Sequence, residues 1–139
     1  MRKARAIVLD SWAVLAFLED EQPAAELVGD LIADAHDNGV PILMTVVNAG
    51  EVWYVSARRA GAAEADRTIQ LLREIGVKFV ELDWPLTKTA AAFKVKGGIS
   101  LADCYAAAAA KQNKASLVTG DAEFRQVEDE VSIVWLNDI

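Results

Sequence analysis

The acidic residues Asp10 and Asp121 follow two short apolar runs of this sequence, Ile7-Val8-Leu9 and Ser116-Leu117-Val118. Two further acids, Glu51 and Asp103, stand in the first turn or so of segments with helical patterning. Such positions, where parallel strands hand over to helices, form the edge at which open α/β sheets bind ligands. Because Mg²⁺ prefers oxygen ligands, three or four carboxylates there would suit one or two ions. Two ions could activate water and stabilise the leaving oxygen in phosphodiester cleavage.

Each of these acids also has a simpler interpretation as a helix cap. Asn48 and Ser100 stand three residues before Glu51 and Asp103, which is the spacing of a capping box, and the other two acids could be N-caps. All four nevertheless lie within or beside apolar segments such as Leu101-Ala102-Asp103-Cys104-Tyr105. Acids so close to a core need a compensating cation. The set as a whole therefore favours metal binding.

Composition narrows the chemistry that is open to the chain. With one cysteine, Cys104, and one histidine, His36, it lacks the parts for a zinc cluster, a Cys-His nucleophile or a Ser-His-Asp triad. The formal net charge of −7 counts against a passive nucleic-acid binder, since affinity for phosphates comes mainly from lysine and arginine. It does not count against a metallonuclease, because bound divalent cations reverse the local sign of an acidic site.

The elements that must position these acids follow from the apolar pattern, which alternates short β-rich runs with longer helical stretches. Strands are predicted at residues 6–9, 41–44, 77–82, 116–118 and 131–134. Helices are predicted at residues 11–19, 24–38, 47–60, 63–75, 85–96 and 101–113, with a short turn at 122–127. The pattern predicts one α/β domain over residues 1–139, a three-layer α/β/α sandwich with a short, mainly parallel sheet of four or five strands.

The order of these features resembles that of the PIN-domain nucleases, in particular the VapC-like toxins of type II toxin–antitoxin pairs. The resemblance covers essentially the whole chain: a strand ending in Asp10-Ser11, Glu51 in the third helix, Leu101-Ala102-Asp103 with an alanine-rich helix, and Thr119-Gly120-Asp121-Ala122-Glu123-Phe124. It implies that Asp10, Glu51, Asp103 and Asp121 are the catalytic and metal-binding residues. Ser11 and Thr119 would be polar helpers. Glu123 would be a second-tier ligand or a solvated helix residue.

The resemblance also implies a function and partners. The chain is expected to be an endoribonuclease dependent on Mg²⁺ or Mn²⁺, to act as a toxin, and to be neutralised by a cognate antitoxin whose C-terminal segment wraps the nuclease. A homodimer is expected, with residues 62–72 and the helices near Trp53 as its surface. The alternative is a non-catalytic PIN-like module that binds RNA or regulates.

Other acid-rich or phosphate-binding α/β classes lack essential residues. A haloacid-dehalogenase-type phosphatase needs an aspartate two residues after its nucleophile, where this chain has Trp12 after Asp10. A receiver domain needs adjacent acids at its first strand end. Gly97-Gly98 lacks the surrounding pattern of a phosphate-binding loop.

The remaining polar and aromatic residues receive lesser roles. Lys94 and Lys96 either complement a helix C-terminus or help to guide the RNA backbone. His36 is expected at the surface, and Cys104 as a small buried hydrophobe. The four tryptophans are interpreted as core or interface residues. Because no apolar run approaches the ~20 residues of a membrane span and no signal peptide is recognised, a cytoplasmic protein is expected.

Overall fold

The computed structural model describes residues 5–137. Its strands are β1 (Ile7–Leu9), β2 (Ile42–Thr45), β3 (Val77–Val80), β4 (Ser116–Thr119) and β5 (Ile133–Trp135). Its helices are α1 (Ser11–Leu18), α2 (Ala24–Asp37), α3 (Val46–Ala60), α4 (Ala62–Glu74), α5 (Trp84–Val95) and α6 (Leu101–Gln112), followed by a 3₁₀ helix at Ala122–Val127. The predicted segments match these in type and order, with ends that differ by no more than two residues.

The five strands form one sheet in the order β3-β2-β1-β4-β5, and every pair of neighbours is parallel. The chain first builds the sheet outward from β1 through β2 and β3, and then returns to place β4 and β5 on the other side. The strand order therefore reverses between β1 and β4. In open α/β sheets, the crevice beyond the carboxyl ends of the strands at such a reversal is the usual ligand site.

Side chains from the two faces of the sheet enter two separate cores. Val8 of β1 and Leu117 of β4 pack with α5 and α6 on one face. Leu9 of β1 and Val118 of β4 pack with α1 to α4 on the other. Helices thus cover both faces of a parallel sheet, which confirms the three-layer α/β/α sandwich. The prediction of a single domain stays a prediction.

Polar side chains begin the helices that follow the first three strands. Asp10, Thr45 and Asp83 are the N-caps of α1, α3 and α5, and each accepts a hydrogen bond from a backbone N–H in the first turn of its helix. The free N–H groups and positive dipole ends of α1 and α3 lie next to the carboxyl ends of β1 and β2. This edge of the sheet therefore favours negative charge.

Helix α6 is buried on all sides along its alanine-rich stretch. Ala106, Ala107, Ala108, Ala109 and Ala110 have no exposed surface. A helix with methyl side chains is narrow, so α6 fits between the sheet, α3 and α5 while keeping high helix propensity. Its first turn carries Asp103, whose position is thus set by a tightly enclosed element.

Within residues 5–137, no helix combines the length and the apolar character that crossing a membrane requires.

Candidate metal centre

Asp10 is the most deeply buried acid of the site. It follows β1 directly, and its side chain is 1% exposed. Its Oδ1 accepts a hydrogen bond from the backbone N–H of Ala13 at 2.8 Å, and its Oδ2 accepts one from Thr119 Oγ1 at 2.5 Å. The capping interpretation of Asp10 is therefore correct for one oxygen, while the other links β1 to the end of β4.

Thr119 extends this link to Asp121. Its Oγ1, which donates to Asp10, accepts a hydrogen bond from the backbone N–H of Asp121 at 3.0 Å. Asp121 itself caps the 3₁₀ helix by accepting from the N–H of Glu123 at 2.9 Å. A single hydroxyl thus connects the segments that carry two of the predicted ligands.

Three acids meet at one point of this edge. One carboxylate oxygen each from Asp103, Asp121 and Glu123 can be chosen so that all three lie within 4.8 Å of one another. Asp103 is buried, Asp121 is half-buried and Glu123 is exposed, so the cluster runs from the core to the surface. Glu123, which the sequence placed in a second tier, belongs to this cluster, because the tight 3₁₀ turn brings it back beside Asp121.

Glu51 reaches the same region from α3. Its Oε1 accepts a hydrogen bond from Ser11 Oγ at 2.8 Å, which ties α3 to the start of α1. The capping-box interpretation of Asn48 and Glu51 was wrong, because the N-cap of α3 is Thr45 and Glu51 lies in the second turn. For Asp103 the cap was correct in part, since Ser100 Oγ accepts from the Asp103 N–H at 3.2 Å.

Burial and like charge raise the pKa values of the two innermost acids. Burial raises the pKa of Asp10 to about 8, with smaller contributions from the charges of Asp103 and Asp121, although the hydrogen bonds from Thr119 and Ala13 oppose the rise. Burial, and then the charge of Asp121, raises the pKa of Asp103 to about 7, and Glu123 and Glu51 add to the effect. Without a cation, this site holds protons near neutral pH.

The donor chemistry fits a hard divalent cation. Every candidate ligand is a carboxylate oxygen, which Mg²⁺ and Mn²⁺ prefer, and a separation of 4.8 Å or less allows one ion to contact more than one of them. Within residues 5–137, no lysine or arginine forms an ion pair with Asp10, Glu51, Asp103, Asp121 or Glu123.

Neither lysine considered for RNA binding forms an ion pair with these acids within the part of the chain that the structure describes. Lys96 pairs with Glu130, which also accepts from Lys111 at 2.9 Å. Lys111 lies eight residues after Asp103 on α6, or about 12 Å along the helix axis. Lys94 donates from Nζ to the Ile99 carbonyl at 2.8 Å and so stabilises the turn before α6.

The other residues that the sequence singled out lie mostly as expected. His36 is exposed on α2. Cys104 is fully buried, and burial raises the pKa of its thiol. Trp84 is not a core residue, because 68% of it is exposed, and its interpretation as an interface residue stays a prediction.

Sequence reasoning missed the packing around Gly120. A Cβ atom at residue 120 would overlap three carbons of the Trp12 ring. The farthest of the three, Cζ2, would be only 2.5 Å from that Cβ atom. The Gly120 carbonyl accepts a hydrogen bond from Asn137 Nδ2 at 2.9 Å. A glycine directly before a candidate ligand was the only sequence signal, and it named no partner.

Comparisons with known proteins support the predicted family and fold. A family model described as "PIN domain" matches residues 7–130. No curated protein matches the sequence.

Solved structures share the fold at low sequence identity. The structure of VapBC2 from Rickettsia felis bound to a promoter DNA fragment matches with a TM-score of 0.72 and 12% identity, over 93% of this chain and 97% of that one. VapC20 from Mycobacterium tuberculosis, described as a sarcin-ricin loop cleaving toxin, matches with a TM-score of 0.70 and 16% identity, over 86% and 93%. VapBC-1 from nontypeable Haemophilus influenzae gives 0.72 and 17%, over 96% and 99%.

The raised pKa values predict how the stability of the metal-free protein depends on pH. Because the folded-state values, about 8 for Asp10 and about 7 for Asp103, exceed the ordinary value of 3.8, the folded protein binds more protons than the unfolded chain between these limits. The free energy of unfolding should therefore fall, by several kcal/mol, as pH rises from about 5 to about 8.

Denaturant unfolding in EDTA across this range measures the effect. Asp10→Asn should flatten the slope and stabilise the metal-free protein at the upper end, whereas Asp30→Asn, which changes an exposed acid of α2, should leave the slope as it was. A free energy of unfolding that rises with pH over this range would contradict the prediction.

Proposed function

This chain belongs to the PIN-domain family, and we propose that it is a metal-dependent endoribonuclease. Asp10, Glu51, Asp103 and Asp121 hold Mg²⁺ or Mn²⁺ in this proposal, and Glu123 is a further ligand. The observation that carries it is the convergence of acids at the reversal of strand order, where buried and half-buried carboxylates crowd one another.

The residues of the site have distinct roles in the proposed reaction. Bound Mg²⁺ or Mn²⁺ would supply water activation and charge stabilisation for phosphodiester cleavage. Asp10, in its ionised form, would be one of the residues that hold the cation, and hydrogen bonds from Thr119 and the Ala13 N–H keep its carboxylate in place. Ser11 fixes the Glu51 carboxylate by its hydrogen bond. Asp121 and Glu123 lie towards solvent, where a phosphate backbone can approach.

We assign the nuclease to a toxin–antitoxin pair. The support is the similarity to VapBC structures and to VapC20, which is described as a sarcin-ricin loop cleaving toxin. The toxin role does not by itself identify the RNA substrate, because recognition of RNA depends on the shape and exposed bases of that RNA.

Electrostatics suggests how an antitoxin would bind. The acids lack an ion-pair partner within residues 5–137, so an arginine or lysine of the antitoxin would be attracted to the place of the metal. A desolvated ion pair gains little net energy, so apolar contacts would supply most of the affinity. Leu101, which is 52% exposed and two residues before Asp103, is suited to such a contact.

A homodimer through α3 and α4 is part of the proposal. Trp53 and Tyr54 of α3 and Leu71 of α4 are large apolar residues that are 36%, 44% and 43% exposed. Trp53 Nε1 donates to Asp66 Oδ1 at 3.0 Å, which joins the two helices into one surface. This surface includes the segment 62–72 that the sequence suggested.

The first prediction from the proposed function is that the purified protein cleaves RNA. A structured RNA should be cut when Mg²⁺ or Mn²⁺ is supplied and left intact in EDTA. Asp10→Asn should lower the rate by on the order of 100-fold, the scale of losing a group that stabilises charge in the transition state. Gel analysis of labelled RNA measures this, with Asp30→Asn as the matched control.

The same assay separates the alternative function. Tight RNA binding without cleavage in Mg²⁺ and Mn²⁺ would favour a non-catalytic PIN-like module. Cleavage that persists in EDTA would contradict the metal site.

The second prediction concerns the cell. Induced expression of the chain should slow bacterial growth, because RNA is cut without restraint, and Asp10→Asn should remove the effect. Co-expression of a short neighbouring reading frame with a DNA-binding pattern should restore growth of cells with the unchanged chain. Harmless expression of a protein that cleaves RNA when purified would overturn the toxin role and keep the nuclease.

The third prediction is self-association at micromolar concentration. Light scattering coupled to size exclusion should give the mass of two chains, and Leu71→Glu should give one, because it places a charge on the α3–α4 surface. Val95→Glu, which changes an 87% exposed residue at the end of α5, is the control. A strictly monomeric unchanged protein would be the contrary result.

A further inference from the structure

We propose that Trp12 is a positioning residue whose indole, packed against Gly120, sets the spacing between Asp10 and Asp121 and thereby the metal affinity of the site. This inference rests on the proposed function, since it concerns how the same carboxylates are held. Trp12 is not one of the proposed metal ligands and, within residues 5–137, donates no hydrogen bond to them, so its role would be to hold the ligands in place.

Space, and not backbone conformation, is what requires glycine at residue 120. Its φ lies outside the left-handed region that favours glycine, in contrast to Gly39, Gly61 and Gly76. A Cβ atom would nevertheless overlap Cη2, Cζ3 and Cζ2 of Trp12. Contacts that short do not occur, so either the ring or the backbone would have to move.

The contact joins the two segments that carry the ligands. Trp12 lies in the first turn of α1, two residues after Asp10, and Gly120 directly precedes Asp121. The indole, which belongs to the segment that carries Asp10, therefore lies beside the segment that carries Asp121. Trp12 also packs against the core formed by α1 to α4, which limits how far the ring can retreat.

Hydrogen bonds also hold the same segment. Asn137 Nδ2 donates to the Gly120 carbonyl at 2.9 Å, and the Leu136 N–H donates to the Thr119 carbonyl at 2.9 Å. The segment 119–121 is thus fastened to the end of β5 and in contact with Trp12. An added methyl group would displace the Trp12 ring, displace Asp121 relative to Asp10, or break one of these bonds.

Small displacements matter for a magnesium-type site. Mg²⁺ demands near-octahedral oxygen geometry at short distances, and loss of the contacts that orient ligands typically lowers metal affinity by ~10–100-fold. A tryptophan that served only the core would instead change the stability of the protein and leave the affinity of the folded protein for metal unchanged. Metal affinity therefore separates the two roles.

The test is calorimetric titration of the folded protein with Mn²⁺ alone, with thermal unfolding measured in parallel. Gly120→Ala should weaken Mn²⁺ binding by about tenfold or more. Trp12→Leu should weaken Mn²⁺ binding as well, because it removes the ring that sets the spacing between Asp10 and Asp121. Gly29→Ala is the matched control, because its Cβ would meet Phe17 at an ordinary 3.6 Å.

Each outcome decides the matter. A folded Gly120→Ala or Trp12→Leu protein that binds Mn²⁺ as tightly as the unchanged one overturns the inference alone. If Gly120→Ala does not fold, Trp12→Leu carries the test, with weakened Mn²⁺ binding expected and unchanged binding contrary. An unchanged protein that does not bind Mn²⁺ overturns the proposed function, and the inference with it.

Discussion

The carboxyl group of Asp10 lies in the protein interior, and a charge there costs free energy unless a cation or several hydrogen bonds offset it. The structure supplies two hydrogen bonds, from the Ala13 N–H and from Thr119, and they do not suffice to keep the pKa low. Asp103 and Asp121 make the position less favourable still. The fold therefore keeps a carboxyl group that holds a proton near neutral pH when no cation is bound.

Helix capping and the proposed metal binding are compatible uses of the same residues. Asp10 and Asp121 both cap helices, and both lie at the acidic edge of the sheet. An N-cap carboxylate accepts from backbone N–H groups and keeps lone pairs for other partners. The caps also orient the carboxylates, so the secondary structure itself prepares the ligand geometry that we propose.

The extent to which the sequence predicted this arrangement follows from what apolar periodicity encodes. It identifies strands and helices, and the carboxyl ends of parallel strands in one sheet bring Asp10 and Asp121 to the same edge without any knowledge of distances. It does not give contacts between residues far apart in sequence. Ser11 with Glu51, and Trp12 with Gly120, therefore emerged only from the structure.

Local chemistry was harder to predict where two polar residues competed for one role. Thr45 and Asn48 can each begin α3, and the choice of Thr45 moves Glu51 from the first turn to the second. Lys96 precedes the turn that leads to the site, yet its partner Glu130 draws it towards the far end of α6. Neither choice is visible in the spacing of residues.

The enclosed alanines of α6 restrict how the gene can vary. A single nucleotide change in an alanine codon, when it is not silent, gives Gly, Pro, Ser, Thr, Val, Asp or Glu. At the five positions from Ala106 to Ala110, where no surface is exposed, each of these adds volume, adds a polar group or weakens the helix. Almost every single-nucleotide change in this stretch that alters the amino acid is therefore unfavourable. We expect these five residues to vary much less during evolution than the exposed residues of the other helices.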